Sequence, residues 1–161
     1  MPRGLRLLIV AVISAVALSA LVSAPLAAST PNPVLHHAAV GIYAAGSFVC
    51  HQRSDRSFYI HNAKLPVCAR CFGLYASGLL GVLAWIVLAG ARQQPATRVT
   101  RLQPTTWRWL LIAGAAPTLV SVATASVGWW DPPNLLRALL AVPLGVVVGM
   151  IVTAVAAGDL R

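Results

Sequence analysis

The stretch WRWLLIAGAAPTLVSVATASVGWW, residues 107–130, decides the fold class. Its middle is apolar, with Trp107 and Trp109 at one end and Trp129 and Trp130 at the other. A helix from Trp109 to Trp129 rises about 30 Å, the thickness of a bilayer's hydrocarbon core, and tryptophans gather at the two faces of that core. The expected element is a membrane-spanning helix, with Pro117 near its middle as a point where it can kink.

Working outward, Asp131-Pro132-Pro133-Asn134 reads as a turn that stops this helix and starts another, with Asn134 placed to cap it and Arg137 in its first turn. That last span runs over about 135–157. Upstream, Arg92, Arg98, Arg101 and Arg108 form a basic linker, preceded by an apolar helix over about 72–90. At the N-terminus, Arg3 and Arg6 precede a 22-residue run, LLIVAVISAVALSALVSAPLAA, and a Pro-rich stretch at 31–33. The pattern resembles a secretory signal, but an apolar run of more than about 20 residues suits a retained span better. Residues 1–33 thus read as an N-terminal hydrophobic helix and linker, and 34–157 as the membrane domain.

Composition agrees. The chain of 161 residues is 58% apolar and 9% charged, against roughly 45–50% and about 25% in soluble domains. The expected fold is an all-α integral membrane bundle of four transmembrane helices, or five if residues 34–49 cross. Those residues, VLHHAAVGIYAAGSFV, would span about 24 Å as a helix, short for a crossing. The three acids, Asp55, Asp131 and Asp159, with no Glu, argue against a carboxylate dyad or a chain of proton-carrying acids. The net charge of +9 comes from Arg flanking apolar runs, which points to lipid headgroups as partners and not to nucleic acid.

Orientation is tied. If 34–49 does not cross, Arg3, Arg6, the linker arginines and Arg161 share a side, seven against five; if it does, Arg3 and Arg6 join Arg53, Arg56, Lys64, Arg70 and Arg137, again seven against five. For packing, Ala141, Gly145, Gly149, Thr153 and Ala157 make a small-residue ridge on the last helix, and Gly73, Ser77 and Gly81 repeat it after the cysteines. Such ridges pack helices within a chain, and homodimerisation through Gly145/Gly149 is the alternative. Gly114, Thr118, Ser121, Ala125 and Gly128 place mild polarity on one side of the third clear span.

The chemistry lies in the loop at 50–71. All three cysteines fall there: Cys50, next to His51, and the C-x-x-C pair Cys68 and Cys71. With Pro66 at a first helical position, the pair would occupy the opening turns of the next helix, where exposed N–H groups and Arg70 favour thiolates. Two thiolates from the pair, a third from Cys50 and a nitrogen from His51 or His61 make a tetrahedral Cys₃His set of the zinc type. The pair alone also fits thiol–disulfide exchange, with Cys68 as nucleophile and Cys71 resolving, or plain structural burial. Phe72, in place of His, disfavours a c-type haem. His36 and His37 read as interfacial. Arg137, one turn before Ala141, points into the bundle near an interface, where snorkelling, an anion contact and a pairing with Asp131 or the cysteine loop are the choices.

Cys50-His51-Gln52, Arg56-Ser57-Phe58, Pro66-Val67-Cys68-Ala69-Arg70-Cys71 with Gly73 and Tyr75, and Asn134-Leu135-Leu136-Arg137 ahead of Gly145 closely resemble the family called domain of unknown function 2085. The resemblance covers roughly residues 40–150 and implies a small prokaryotic multi-pass membrane protein in the cytoplasmic membrane, with no established activity. It adds Arg56, Arg70, Asn134 and Arg137 to the residues of interest. One departure stands out: after Pro117, where relatives typically carry an acid within a few positions, this chain has Val120-Ser121-Val122. The leading function is a membrane protein with a zinc-type site on Cys50, His51, Cys68 and Cys71. The alternatives are a membrane thiol–disulfide oxidoreductase and a small transporter or assembly partner.

Overall fold

The computed structural model describes residues 1–90 and 103–159. The linker positions Arg92, Arg98 and Arg101, and Arg161, lie outside them. In chain order come α1 (Arg3–Ala28), α2 (Pro33–Val49), a 3₁₀ turn at Ser54–Arg56, β1 (Ser57–Ile60), β2 (Ala63–Cys68), α3 (Ala69–Gly90), α4 (Pro104–Ser126) and α5 (Asn134–Ala157). Among the described residues, α1, α3, α4 and α5 are long and apolar enough to cross a membrane. The fold is a helical membrane bundle with four such helices.

α2 is the element whose role the sequence left undecided. Asn32 caps it, its side chain accepting from the N–H of Val34 at 2.9 Å, and Pro33 occupies the first turn, where a missing N–H costs nothing. Its start is tied to the end of α1, where the His36 ring meets the Ala28 carbonyl. Its far end, Cys50, clusters with Val67 and Cys68, and Leu21 of α1 packs against that cluster. Both ends of α2 therefore lie at the same end of the bundle, and α2 rests against the hairpin instead of crossing.

That settles which residues share an end. Arg3 bridges Asp159 at 2.8 Å, and Trp107 packs on Trp85 with ring centroids 5.8 Å apart, so the start of α1, the start of α4 and the ends of α3 and α5 meet. The hairpin, the start of α3, the end of α4 and the start of α5 form the opposite end. Arg3, Arg6 and Arg108 fall at the first end, and Arg53, Arg56, Lys64, Arg70 and Arg137 at the second. Trp109 and Trp129 remain exposed on opposite ends of α4, while Trp107 is buried.

α3 and α5 run parallel and pack most closely. A Cβ on Gly145 would strike Ser77 and the Leu74 carbonyl, and one on Gly149 would strike the Gly78 carbonyl, so only glycine admits this approach. The ridge offered for homodimerisation through Gly145/Gly149 is thus covered by α3 of the same chain, and a second copy would need another face. α4 packs antiparallel on α5, with Gly114 against Pro143 and the Thr118 hydroxyl donating to the Leu140 carbonyl at 2.8 Å.

Gly149→Leu should lower stability by about 1–3 kcal/mol through overpacking, read from unfolding in detergent. Gly41→Ala, where an added carbon meets nothing within 4 Å, should stay within about 0.5 kcal/mol of the parent or gain slightly.

Candidate metal centre

The 50–71 segment folds into a hairpin. β1 and β2 pair antiparallel, Ser57 with Cys68, Tyr59 with Lys64 and Ile60 with Ala63, with an irregularity between Ser57 and Tyr59. The two-residue turn is His61-Asn62, both at positive φ (48° and 64°), the geometry of a type I′ turn whose twist matches the strands. His61 is exposed at this tip, away from the cysteines. Pro66 lies inside β2, and α3 begins only at Ala69. The expectation that Pro66 opens the helix is corrected: on a strand of a two-stranded ribbon, its missing N–H breaks no central ladder.

Side-chain bonds hold the hairpin to α2. Gln52, itself at φ 48°, donates from Nε2 to the Tyr43 carbonyl at 2.6 Å. Lys64 donates to the Gln52 carbonyl at 2.8 Å, and the Tyr43 hydroxyl donates to the Lys64 carbonyl. A Cβ at Gly46 would hit the Pro66 carbonyl, so α2 lies flush on β2.

These contacts bring Cys50, at the end of α2, to Cys68, the last residue of β2, and Cys71, in the first turn of α3. The three sulfurs lie within 4.8 Å of one another and are not bonded as disulfides. Cys50 and Cys68 are buried and Cys71 is partly exposed. The Cys68 N–H donates to the Cys50 sulfur at 3.1 Å, fixing the two side by side. Hydrogen bonding from the Cys71 thiol holds Cys68 well below the ordinary thiol value, at about 5; burial opposes this, and Cys50 and the charge of His51 assist it. Tetrahedral zinc with Zn–S bonds of about 2.3 Å separates its sulfurs by about 3.8 Å, so the triangle is nearly of ligand size.

The other expected site residues are placed differently. His51 is exposed, outside the sulfur triangle, and its Nδ1 accepts the Arg53 N–H at 3.1 Å. Arg137 is 6% exposed; it holds Asp131 at 2.5 Å and donates to Asn134 Oδ1 at 2.7 Å. Of the choices open for it, the pairing with Asp131 is the one formed, and this bond holds the Asp131 carboxyl below the usual carboxylate range. Asn134 does not cap α5. Its amide donates instead to the Ser57 carbonyl at 3.1 Å, tying α5 to the hairpin. Arg70 donates to the Ser121 carbonyl and hydroxyl at 3.1 and 3.3 Å, and Arg56 reaches Asp55 and Asp131 at 3.6 and 3.7 Å. Ser121, passed over in sequence as helix-packing polarity, becomes a partner of this end of the bundle; its departure from the acid expected there was the available signal.

The family model described as a predicted membrane protein (DUF2085) matches residues 50–151. The chain belongs to this family. An uncharacterized protein of Methanocaldococcus jannaschii is 32% identical over 96 residues, 60% of this chain and 56% of that one. An uncharacterized protein of Methanothermobacter thermautotrophicus is 27% identical over 99 residues, covering 62% and 79%. The chain thus spans a little over half of the first relative's length. No solved structure matches. The matched region takes in the hairpin, all three cysteines and the α3–α5 bundle.

Because folding lowers the Cys68 value, its contribution to stability is complete above the unfolded thiol value of 9.0, shrinks as the pH falls and is gone below about 5. In metal-free protein, the gap in thermal midpoint between the parent and Cys68→Ser should therefore widen as pH rises from 5 to 9. A gap independent of pH would contradict the thiolate assignment.

Proposed function

We propose that Cys50, Cys68 and Cys71 bind a transition metal of the zinc type, and that the ion pins the hairpin and α2 to the start of α3 at the membrane interface. The sulfur triangle is the observation that carries this reading: three soft donors, 4.8 Å apart or less, on three different elements. Buried thiols without disulfides are one outcome of apolar packing. Three of them with an N–H bond to one sulfur and a low value at another fit a metal better. His51, next to Cys50, is the residue to close the tetrahedron; it must first release the Arg53 N–H, which occupies its Nδ1. We place the chain in the cytoplasmic membrane of a prokaryote, where such a centre would serve either to hold the fold or to handle metal.

Thiol–disulfide exchange is the second reading, favoured by the lowered Cys68 value. Burial weighs against it, since Cys68 is 5% exposed and a nucleophile must meet its partner disulfide.

Metal analysis of detergent-purified protein should give about one equivalent per chain. Cys68→Ser should lose it, and His51→Ala should keep the site but weaken it by about tenfold or more. A metal-free parent, with a Cys68–Cys71 disulfide that turns over with a dithiol, would replace the first reading with the second. The bound ion should also leave as the pH falls toward 5, because protons compete for the same thiolates.

A further inference from the structure

At the hairpin end, four arginines, Arg53, Arg56, Arg70 and Arg137, meet two carboxylates, Asp55 and Asp131. The carboxylates face outward, their side chains 56% and 47% exposed, whereas the Arg137 side chain is 7% exposed. Positive charge is therefore in excess, and that of Arg137 and Arg56 lies deeper than its countercharge. A divalent ion on three thiolates would add one negative charge and still leave the group positive.

The hydrogen bonds are incomplete in the same place. Arg137 spends its two terminal nitrogens on Asp131 and Asn134, and Arg70 uses one on Ser121. Arg56 reaches Asp55 through Nε at 3.6 Å and Asp131 through a terminal nitrogen at 3.7 Å, both too long for hydrogen bonds. The Nε–H groups of Arg56, Arg70 and Arg137 are all buried and, among the described residues, have no acceptor within hydrogen-bond distance. Buried guanidinium donors are ordinarily satisfied, so three orphans in one neighbourhood indicate a ligand rich in oxygen. The start of α5 adds to this, because no side chain caps its first N–H groups. Its parallel packing on α3 also sets two positive helix ends side by side.

We propose that Arg56, Arg70 and Arg137, with the uncapped start of α5, bind a phosphate oxyanion. Three planar forks arriving from the 3₁₀ turn, α3 and α5 suit a tetrahedral anion with several oxygens better than a single carboxylate. Asp131 shares Arg56 and Arg137 with the ligand and tunes its affinity. Exposed Trp129 and Trp130 adjoin Asp131, which sets the site at the level of lipid headgroups. The phosphate comes either from a phospholipid or from solution.

The test uses the full chain in a phosphate-free detergent. In one arm it is titrated with inorganic phosphate against chloride at equal ionic strength, reading the thermal midpoint and tryptophan emission. In the other it is incubated with phosphatidylglycerol or with a phosphate-free glycolipid, and retained lipid is counted by mass spectrometry. A saturable response to inorganic phosphate identifies the free anion; selective retention of phosphatidylglycerol alone identifies the headgroup. In either case Arg56→Gln and Arg137→Lys should weaken binding by about tenfold. Arg56 is a quarter exposed, so its variant keeps the test decisive if the Arg137 variant fails to fold. The proposal is overturned if neither arm exceeds its control, or if Arg56→Gln responds as the parent does.

Discussion

The close parallel approach of α3 and α5 is the constraint from which the rest of the molecule follows. In lipid no hydrophobic force draws two apolar helices together, so contact depends on backbones coming near enough for dispersion to act along their length. Gly145 and Gly149 allow that, and the α3 face they meet carries Ser77 and Gly78. Parallel packing of two helices joined through α4 puts both N-termini at one end. Cys71 and Arg70 of α3 thus come level with Asn134 and Arg137 of α5.

That end is consequently electropositive before any side chain is counted, because two helix starts lie together. The residues gathered there answer the field in different ways. Asp131 pairs with Arg137, Ser121 accepts from Arg70, and the cysteines bring three sulfurs together beside the first turn of α3. The opposite end is simpler, with Arg3, Asp159 and the Trp85 indole N–H, which donates to Asp159 at 3.2 Å, closing the bundle. The family's matched region begins at Cys50, so it contains the chemically loaded end in full.

The hairpin converts this arrangement into a site. A loop of the same composition without strands would leave Cys50 free to wander from the pair. Pairing β1 with β2, and fastening both to α2 through Gln52, Tyr43 and Lys64, fixes the upstream sulfur against the downstream ones. Asn134 then fastens the hairpin to α5, so the sulfur centre and the arginine group lie in one cap at the same end of the bundle.

Hydropathy and length sufficed for the four long helices, since each run must satisfy its own backbone hydrogen bonds in lipid and only a helix does so locally. The grouping of three thiols was legible for a similar reason: Cys50, Cys68 and Cys71 lie within one short window bounded by a helix start. Three-dimensional packing alone decided that α2 stays at one end, that Pro66 belongs to a strand, that His51 lies outside the sulfur triangle, and that α3 covers the Gly145/Gly149 ridge. These depend on contacts between residues far apart in the chain, such as Leu21 with the Cys50–Val67–Cys68 cluster and Asn134 with Ser57, and no local pattern encodes which distant surface a short apolar or polar segment will meet.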